Sequence, residues 1–431
     1  MGYSRDEVLQ YHMGGKVGMH CKRPLQTVED LCLAYTPGVA DAVRAIADSP
    51  DAARLYSARS NLVAVVSDGT AILGLGDLGA SASIPVMEGK AVLFKAFGDV
   101  EAWPVPLNRC RVGGQDRGPT DPERVIDIVA AIAPMYGGIN LEDIAAPACF
   151  AIEDRLDEML DIPVFHDDQW GTAVITLAGV MNYSALASRD MSELRCVING
   201  AGAAGIRIAE MLKAAGVQDV VLCDSRGIVT HRRDGITGKK AEHAVDVPIG
   251  TVADALRDAH VFIGVSVADC IKPADILAMA SYPAIFAMSN PVPEIHPEVV
   301  AETLGERPYV MATGRSDFAN QINNVLGFPF LFRGALDAGA STINMEMKAA
   351  AARALAELAR KEVPAQVQTY YPDEDLAFGP GYVIPKPFDR RLFTDVSLAV
   401  AEAAIQTGVA APGADAAAIL LALEQRNTTR A

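Results

Sequence analysis

The sequence predicts an α/β protein whose parallel sheets are covered by helices, and three observations carry that prediction. From Leu194 to about Ala312, short apolar strands alternate with helical stretches, the pattern of a parallel, helix-covered sheet. Within that region "RCVING", "GAGAAG", "IRIAEMLKAAG" and "DVVLCD" run from Arg195 to Asp224 as strand, glycine turn, helix and strand. The composition is globular: 431 residues, 50% hydrophobic, with mixed charge, enough for two or three domains with an ample core.

Taken in order, residues 3–20 read as a helix and a glycine-broken loop. "NLVAVV" (61–66) is a β-branched strand, 87–97 is helical, and "VEAWPV" after it is extended. "NRCRVGGQDRGPTDPE", Asn108 to Glu123, reads as an exposed loop. Asp121 or Thr120 can cap the next helix, with Pro122 in its first turn. "IPVF" (162–165) is a short strand. Gln169 to Ser188 is uncharged and of membrane length, but Gln169, Thr172, Thr176, Asn182 and Tyr183 make it a buried helix rather than a span. The tail from Met345 is Ala-rich and helical, interrupted by "YYPDEDLAFGPGYVIPKPFD". The expected units are an N-terminal domain (1–168), a doubly wound domain (169–345) and a C-terminal helical segment (346–431) packing back.

Several classes are excluded. A net charge of −17 argues against nucleic acid or an anionic membrane surface as the main partner. Seven scattered cysteines without a C-x-x-C point to reduced thiols in a cytoplasmic protein. "MGYSRDEVLQ" has no apolar signal core, and Asp6 stands where myristoylation wants Ser or Thr.

Two stretches fit G-x-G-x-x-G: "GLGDLG" (Gly74 to Gly79) and "GAGAAG" (Gly200 to Gly205). The second has a strand before it, an apolar-periodic helix after it, and an acid, Asp224, 19 residues beyond Gly205 at the end of the next strand. That is the dinucleotide-binding unit: Gly200, Gly202, Ala203, Ala204 and Gly205 would cradle a pyrophosphate at a helix N-terminus, and Asp224 would meet the ribose. The first fails the same test, because Pro85 sits where the helix should form and Asp99 precedes its strand. It leads instead toward Lys90 in "MEGK".

Glu142 and Asp143 lie side by side in "GGINLEDIAAP", and Asp167 and Asp168 end the strand in "IPVFHDDQWGTA". Carboxylates at strand C-termini face the ligand crevice of α/β folds. Three of them without cysteine suit Mg²⁺ or Mn²⁺. Helix N-capping by Asp143 and Asp168 explains the same spacing, and spacing alone leaves the two readings open. His166 reads better as a hydrogen-bond partner than as a ligand.

"LAYTPGVA", "SDGTAILGLGDLG", "PVMEGKAVLFKAFG", "GGINLEDIAAP", "FHDDQWGTA", "NGAGAAG", "MSNPVPEI" and "ATGRSDFANQINNVLGFPFLFRGALDAGA" together resemble the malic enzymes. The likeness is to the short bacterial form, without a phosphotransacetylase-like extension, and runs from about residue 7 to 410. The resemblance implies oxidative decarboxylation of (S)-malate to pyruvate and CO₂ by a homodimer, with NAD or NADP and a divalent metal. By matching motifs it makes Glu142, Asp143 and Asp168 the metal ligands, Lys90 the general base, Tyr35 the general acid, and Asp167 the group that orients Lys90. Asn290 and Asn320 would contact malate or the nicotinamide. Lys90 would need its pKa lowered to act as a base.

The chain departs from the family in three places. "PLNRCRVGGQDRGPTDP" is longer than the usual connection, Ala319 replaces a proline, and Ala71 stands where longer relatives have a carboxylate-gripping arginine. Asp224 suits the free 2′-hydroxyl of NAD, while Arg226 suits the 2′-phosphate of NADP; the sequence does not choose. Rival readings are a malolactic-type enzyme or oxaloacetate decarboxylase on the same scaffold, and a non-catalytic nucleotide-binding module.

Overall fold

The computed structural model describes residues 3–115, 117–315 and 317–429; Met1 and Gly2, on which the myristoylation reading falls, lie outside them. Three helices open the chain: α1 (Arg5–His12), α2 (Val28–Ala34) and α3 (Val39–Asp48), with a single turn α4 (Ala53–Tyr56). Ser4 with Glu7 and Thr27 with Asp30 form capping boxes that start α1 and α2. None of the four buries a residue in the single chain.

The first sheet holds β1 (Leu62–Ser67), β2 (Glu101–Pro106), β3 (Gly138–Leu141) and β4 (Val164–His166) in the order β2-β1-β3-β4, all parallel. The connecting helices are α5 (Ala80–Gly98), α6 (Pro122–Ile132) and α7 (Ala148–Met159). The expected cap of α6 is present: the Asp121 side chain accepts from Arg124 N–H, with Pro122 at the first position. Two expectations need correction. α5 starts at Ala80, before Pro85, so a helix follows the first glycine loop after all. Pro85 forgoes one hydrogen bond, to the carbonyl of exposed Ser81, while its own carbonyl accepts from Lys16 Nζ at 2.7 Å. The 108–123 loop is anchored rather than simply exposed. Arg111 is buried and donates to Asp68 at 2.6 Å and Asp77 at 2.9 Å, because a guanidinium leaves water only where acids meet it.

A π-turn (Asp167–Gly171) leads into α8 (Thr172–Leu186), buried along most of its length as the charge-free stretch predicts. The second sheet has the order β10-β9-β8-β5-β6-β7. Its strands are β5 (Arg195–Asn199), β6 (Asp219–Asp224), β7 (Gly227–Ile228), β8 (Val261–Gly264), β9 (Ala284–Ala287) and β10 (Val310–Thr313), with only the edge strand β7 antiparallel. Helices α9 (Ala203–Ala214), α10 (Val252–Leu256), α11 (Pro273–Leu277) and α12 (Pro297–Leu304) connect them. Strand order reverses at β5, which opens the ligand crevice of a doubly wound sheet there.

The chain closes with α13 (Phe328–Ala338), α14 (Met345–Arg360), α15 (Ala365–Tyr370), α16 (Arg391–Gln406) and α17 (Ala416–Thr429). α16 packs on α13 and α14. α13 crosses back to the first sheet through aromatic contacts: Phe328 and Phe332 lie 4.7 and 5.2 Å from Phe94, and Phe332 lies 5.9 Å from Phe165. Among the described residues no helix is long and apolar enough to cross a membrane.

Candidate active site

Three parallel strands deliver the acidic cluster and its lysine to one edge. β3 runs directly into Glu142 and Asp143, and β4 through His166 into Asp167 and Asp168. β1 opens into the 68–79 loop, after which α5 presents Lys90. Lys90 Nζ lies 2.5 Å from Asp167 Oδ2, 3.0 Å from Glu142 Oε1, and 4.4 Å from the centre of the Phe328 ring. Asp167 is held in turn by Asn324, whose Nδ2 donates to its Oδ2 at 3.0 Å. Asp143 N–H donates to Asp168 Oδ2 at 2.8 Å, with Asp143 in a left-handed conformation (φ 54°) that a non-glycine residue rarely adopts.

Four carboxylates thus face one ammonium in a buried site. Burial and then Asp168 push Asp143 up to about 7, and burial raises Glu142 and Asp168 as well. Burial alone would lower Lys90, but Asp167, Glu142 and Asp168 outweigh it and raise it above its ordinary value. The carboxylates alone thus favour the ammonium form, and a lowered lysine needs a further positive charge beside them.

The residues fit a divalent cation. One oxygen from each of Glu142, Asp143 and Asp168 can be chosen so that all lie within 4.8 Å of one another. Asp143 Oδ2 and Asp167 Oδ1 are buried with no hydrogen-bond partner among the described residues. The donors are all hard oxygens, and the excess negative charge needs a counter-ion. His166 is buried, burial lowers it to about 4, and its Nδ1 stands 3.9 Å from Asp168. It is a neutral neighbour of the acids.

The dinucleotide loop has the steric demands of a pyrophosphate turn. Gly200 has φ +125°, and a Cβ on Gly205 would sit 1.7 Å from the Gly200 carbonyl oxygen. Gly202 faces open space, and no side chain caps α9, which leaves its N-terminus free for an anion. Asp224 stands at the end of β6 as expected, but it is not a free acid. Its Oδ2 accepts from Arg233 at 2.9 Å and Lys240 at 3.0 Å, and its Oδ1 from the backbone N–H of Arg226. Burial opposes these bonds, yet together they hold it well below the usual carboxylate range.

The structure does not bring every expected residue together. Tyr35 ends α2 and is 67% exposed, and no hydrogen bond or ion pair joins it to Lys90 among the described residues. Asn320 is buried, donates to the Met311 and Pro380 carbonyls and accepts from Val383 N–H. Its side chain is a backbone staple, which corrects its assignment to malate. Asn324, four residues on in the same motif and carrying no signal that separates it from Asn320, is the one whose amide reaches Asp167. Asn290 lies at the meeting of the two halves: its carbonyl would be 3.3 Å from a Cβ on Gly74 of the first glycine loop.

Two family models match the chain: "Malic enzyme, N-terminal domain" over residues 14–157 and "Malic enzyme, NAD binding domain" over residues 170–376. The chain is 50% identical over 410 residues to an NADP-dependent malic enzyme of Rhizobium meliloti, a match covering 94% of this chain and 52% of that protein. It therefore spans about half the length of the first curated relatives it matches. It is 48% identical over 412 residues to an NADP-dependent malic enzyme of Halomonas elongata, covering 94% of each. A crystal structure of malic enzyme from Pyrococcus horikoshii superposes with a TM-score of 0.87 at 38% identity, covering 99% of both chains.

Proposed function

The chain belongs to the malic enzyme family, and from that premise we propose that it oxidatively decarboxylates (S)-malate to pyruvate and CO₂, with NADP⁺ as the preferred acceptor. The observation that carries this reading is Lys90 set among Glu142, Asp143, Asp167 and Asp168. Glu142, Asp143 and Asp168 would hold a divalent cation (Mg²⁺ or Mn²⁺), which would supply Lewis-acid stabilisation of negative charge on oxygen, and the turn at Gly200–Gly205 would hold the dinucleotide, which would supply the hydride acceptor. Lys90 holds and moves the proton of the C2 hydroxyl. Its base role requires that the charge of the carboxylates around it be offset, since they otherwise keep it protonated. Asp167, fixed by Asn324, aims Nζ. Tyr35 is the proton donor to C3 of enolpyruvate.

Tyr35 bears on assembly. Val28, Leu31, Leu33, Val43 and Tyr56 share its exposed segment, an apolar face of the kind that marks an interface. We assign this face to a homodimer, and the general-acid role of Tyr35 rests on the assembled form. Monomeric behaviour in light scattering at micromolar concentration would contradict it. Residues 1–168, 169–345 and 346–431 are taken as the substrate domain, the dinucleotide domain and the helical segment that packs across both. Cys110, Cys149, Cys196 and Cys223 are buried free thiols, which supports a reducing cytoplasmic setting.

The preference for NADP rests on Asp224. An acid that selects NAD accepts from the ribose hydroxyls; here Arg233 and Lys240 occupy it and leave a surplus positive charge suited to a 2′-phosphate. The test is absorbance of the reduced nicotinamide with malate, Mn²⁺ and each dinucleotide, with pyruvate assayed in parallel. We expect NADPH and pyruvate in equal amounts, and a Lys240→Gln variant shifted toward NAD. Malate consumed without reduced cofactor would replace this reading with the malolactic or decarboxylase one.

A further inference from the structure

We propose that Gln169 and Arg207 form a positioning pair that holds Asp168 in place for the divalent cation, with Asp167 beside it against Lys90, and ties both to the helix that follows the dinucleotide loop. The inference rests on the metal-site reading above. Arg207 is buried on α9, two residues after Gly205, yet none of its contacts belongs to the dinucleotide site. Its Nε donates to Gln169 Oε1 at 2.9 Å. Its Nη2 reaches Glu153 at 3.3 Å and Asp154 at 3.1 Å on α7, and its Nη1 reaches Glu210 at 2.9 Å. The guanidinium plane also lies 4.5 Å from the centre of the Trp170 ring.

The contacts with Gln169, Trp170 and Glu153 converge on one short segment. Glu153, whose charge Lys348 and Arg207 offset, accepts from His166 N–H at 2.7 Å and Trp170 Nε1 at 3.0 Å. The stretch from His166 to Trp170 is therefore fastened at its backbone start, at Gln169 and at its indole end, with Asp167 and Asp168 between the fastenings. The segment is a π-turn, a geometry that is rare and frequent at functional sites, and the fastenings define its path. Groups that orient a metal's carboxylate ligands are worth about 10- to 100-fold in metal affinity. Gln169 is the joint whose removal deletes no charge, although it takes the acceptor from Arg207 Nε. It carries no charge, its Nε2 has no partner among the described residues, and methionine matches its volume.

The test is Mn²⁺ titration followed by the electron paramagnetic resonance of free Mn²⁺, on the full chain without dinucleotide. For Gln169→Met we expect Mn²⁺ affinity to fall about tenfold, with NADP⁺ affinity in EDTA unchanged and the thermal midpoint in EDTA lowered only slightly by the unpaired Arg207 Nε. Arg207→Lys keeps a charge beside Glu153, but one ammonium cannot serve four partners. It should weaken Mn²⁺ too, and the double variant should bind no more weakly than the Arg207→Lys single, because that variant has already lost the Gln169 bond. Wild-type Mn²⁺ affinity in Gln169→Met would overturn the pair alone. Loss of NADP⁺ affinity in EDTA alongside the Mn²⁺ affinity would make Gln169 a general packing residue and overturn it as well. A wild-type protein that binds no Mn²⁺ would overturn this inference together with the metal site.

Discussion

Between β1 and α5 the chain takes residues 68–79 to turn a corner that it takes with residues 200–202 between β5 and α9. Both corners carry G-x-G-x-x-G, and both lie in strand–loop–helix–strand units whose strands pair in parallel. The difference lies in where the backbone N–H groups go. In the long loop they turn inward: Leu78 and Gly79 donate to the Gly69 carbonyl, Ile72 to Gly76, and Ala71 to Asp143 beside the acidic cluster. In the short loop the glycines press the strand end against Val265, and the start of α9 is left uncapped. A loop whose donors close on itself shapes a neighbour's site, whereas one that leaves them free binds an anion. The acids differ as well. Those beside the long loop are crowded and pushed up, while Asp224 beside the short loop is pinned by two cations and held down.

The sharpest way to break this division of labour is Asp168→Ala. Losing a ligand costs several kcal/mol of charge stabilisation, so metal-dependent turnover should fall by about 10³-fold or more. NADP⁺ affinity in EDTA, read by fluorescence, should stay at the wild-type value. Next comes Tyr35→Phe, which removes only a transferable proton. A drop of about 10²- to 10⁴-fold in turnover is expected, with Mn²⁺ and NADP⁺ titrations unmoved; near-normal turnover would return Tyr35 to the interface alone.

The smallest effect is a pH dependence that sharpens the contrast. Asp143 must be ionised to hold a cation, and in the metal-free protein it is pushed up to about 7. Protons therefore compete below that value, and Mn²⁺ affinity should fall about tenfold between pH 8 and pH 6. Asp224 is held low, so it stays ionised across the same window and contributes no pH dependence to dinucleotide binding. Flat Mn²⁺ affinity by calorimetry over that range would remove Asp143 from the ligand set.

The dinucleotide unit was legible in the sequence because everything that defines it is local: strand, glycines, helix and acid lie within 30 residues (195–224). Asp167 and Asp168 were legible because they end a strand, and Glu142 and Asp143 because two acids adjoin in one motif. What escaped notice depends on contacts distant in sequence. Arg233 and Lys240 reach back over 9 and 16 residues to neutralise Asp224, and nothing in "DVVLCD" signals them. Arg111 is drawn in by Asp68 and Asp77, more than 30 residues earlier. Pro85 was read as a helix breaker because its cost is local while the packing that overrides it is not: Met87, Ala91 and Phe94 of α5 are buried in the core. Asn320 and Asn324 are indistinguishable as letters. Only the fold assigns one to the backbone and the other to Asp167.

The most direct test places one equivalent strain in each loop and measures two affinities. Gly205→Val puts a side chain where even a Cβ meets the Gly200 carbonyl oxygen at 1.7 Å, and Gly69→Val does the same against the Gly79 carbonyl oxygen at 2.4 Å. With NADP⁺ titrated in EDTA and Mn²⁺ titrated without dinucleotide, Gly205→Val should lose dinucleotide affinity by about 10- to 100-fold, more than 1.4 kcal/mol, and keep its Mn²⁺ affinity. Gly69→Val should do the reverse, because its loop hangs on Asp143. Loss of NADP⁺ affinity in Gly69→Val with Gly205→Val unaffected would contradict the account.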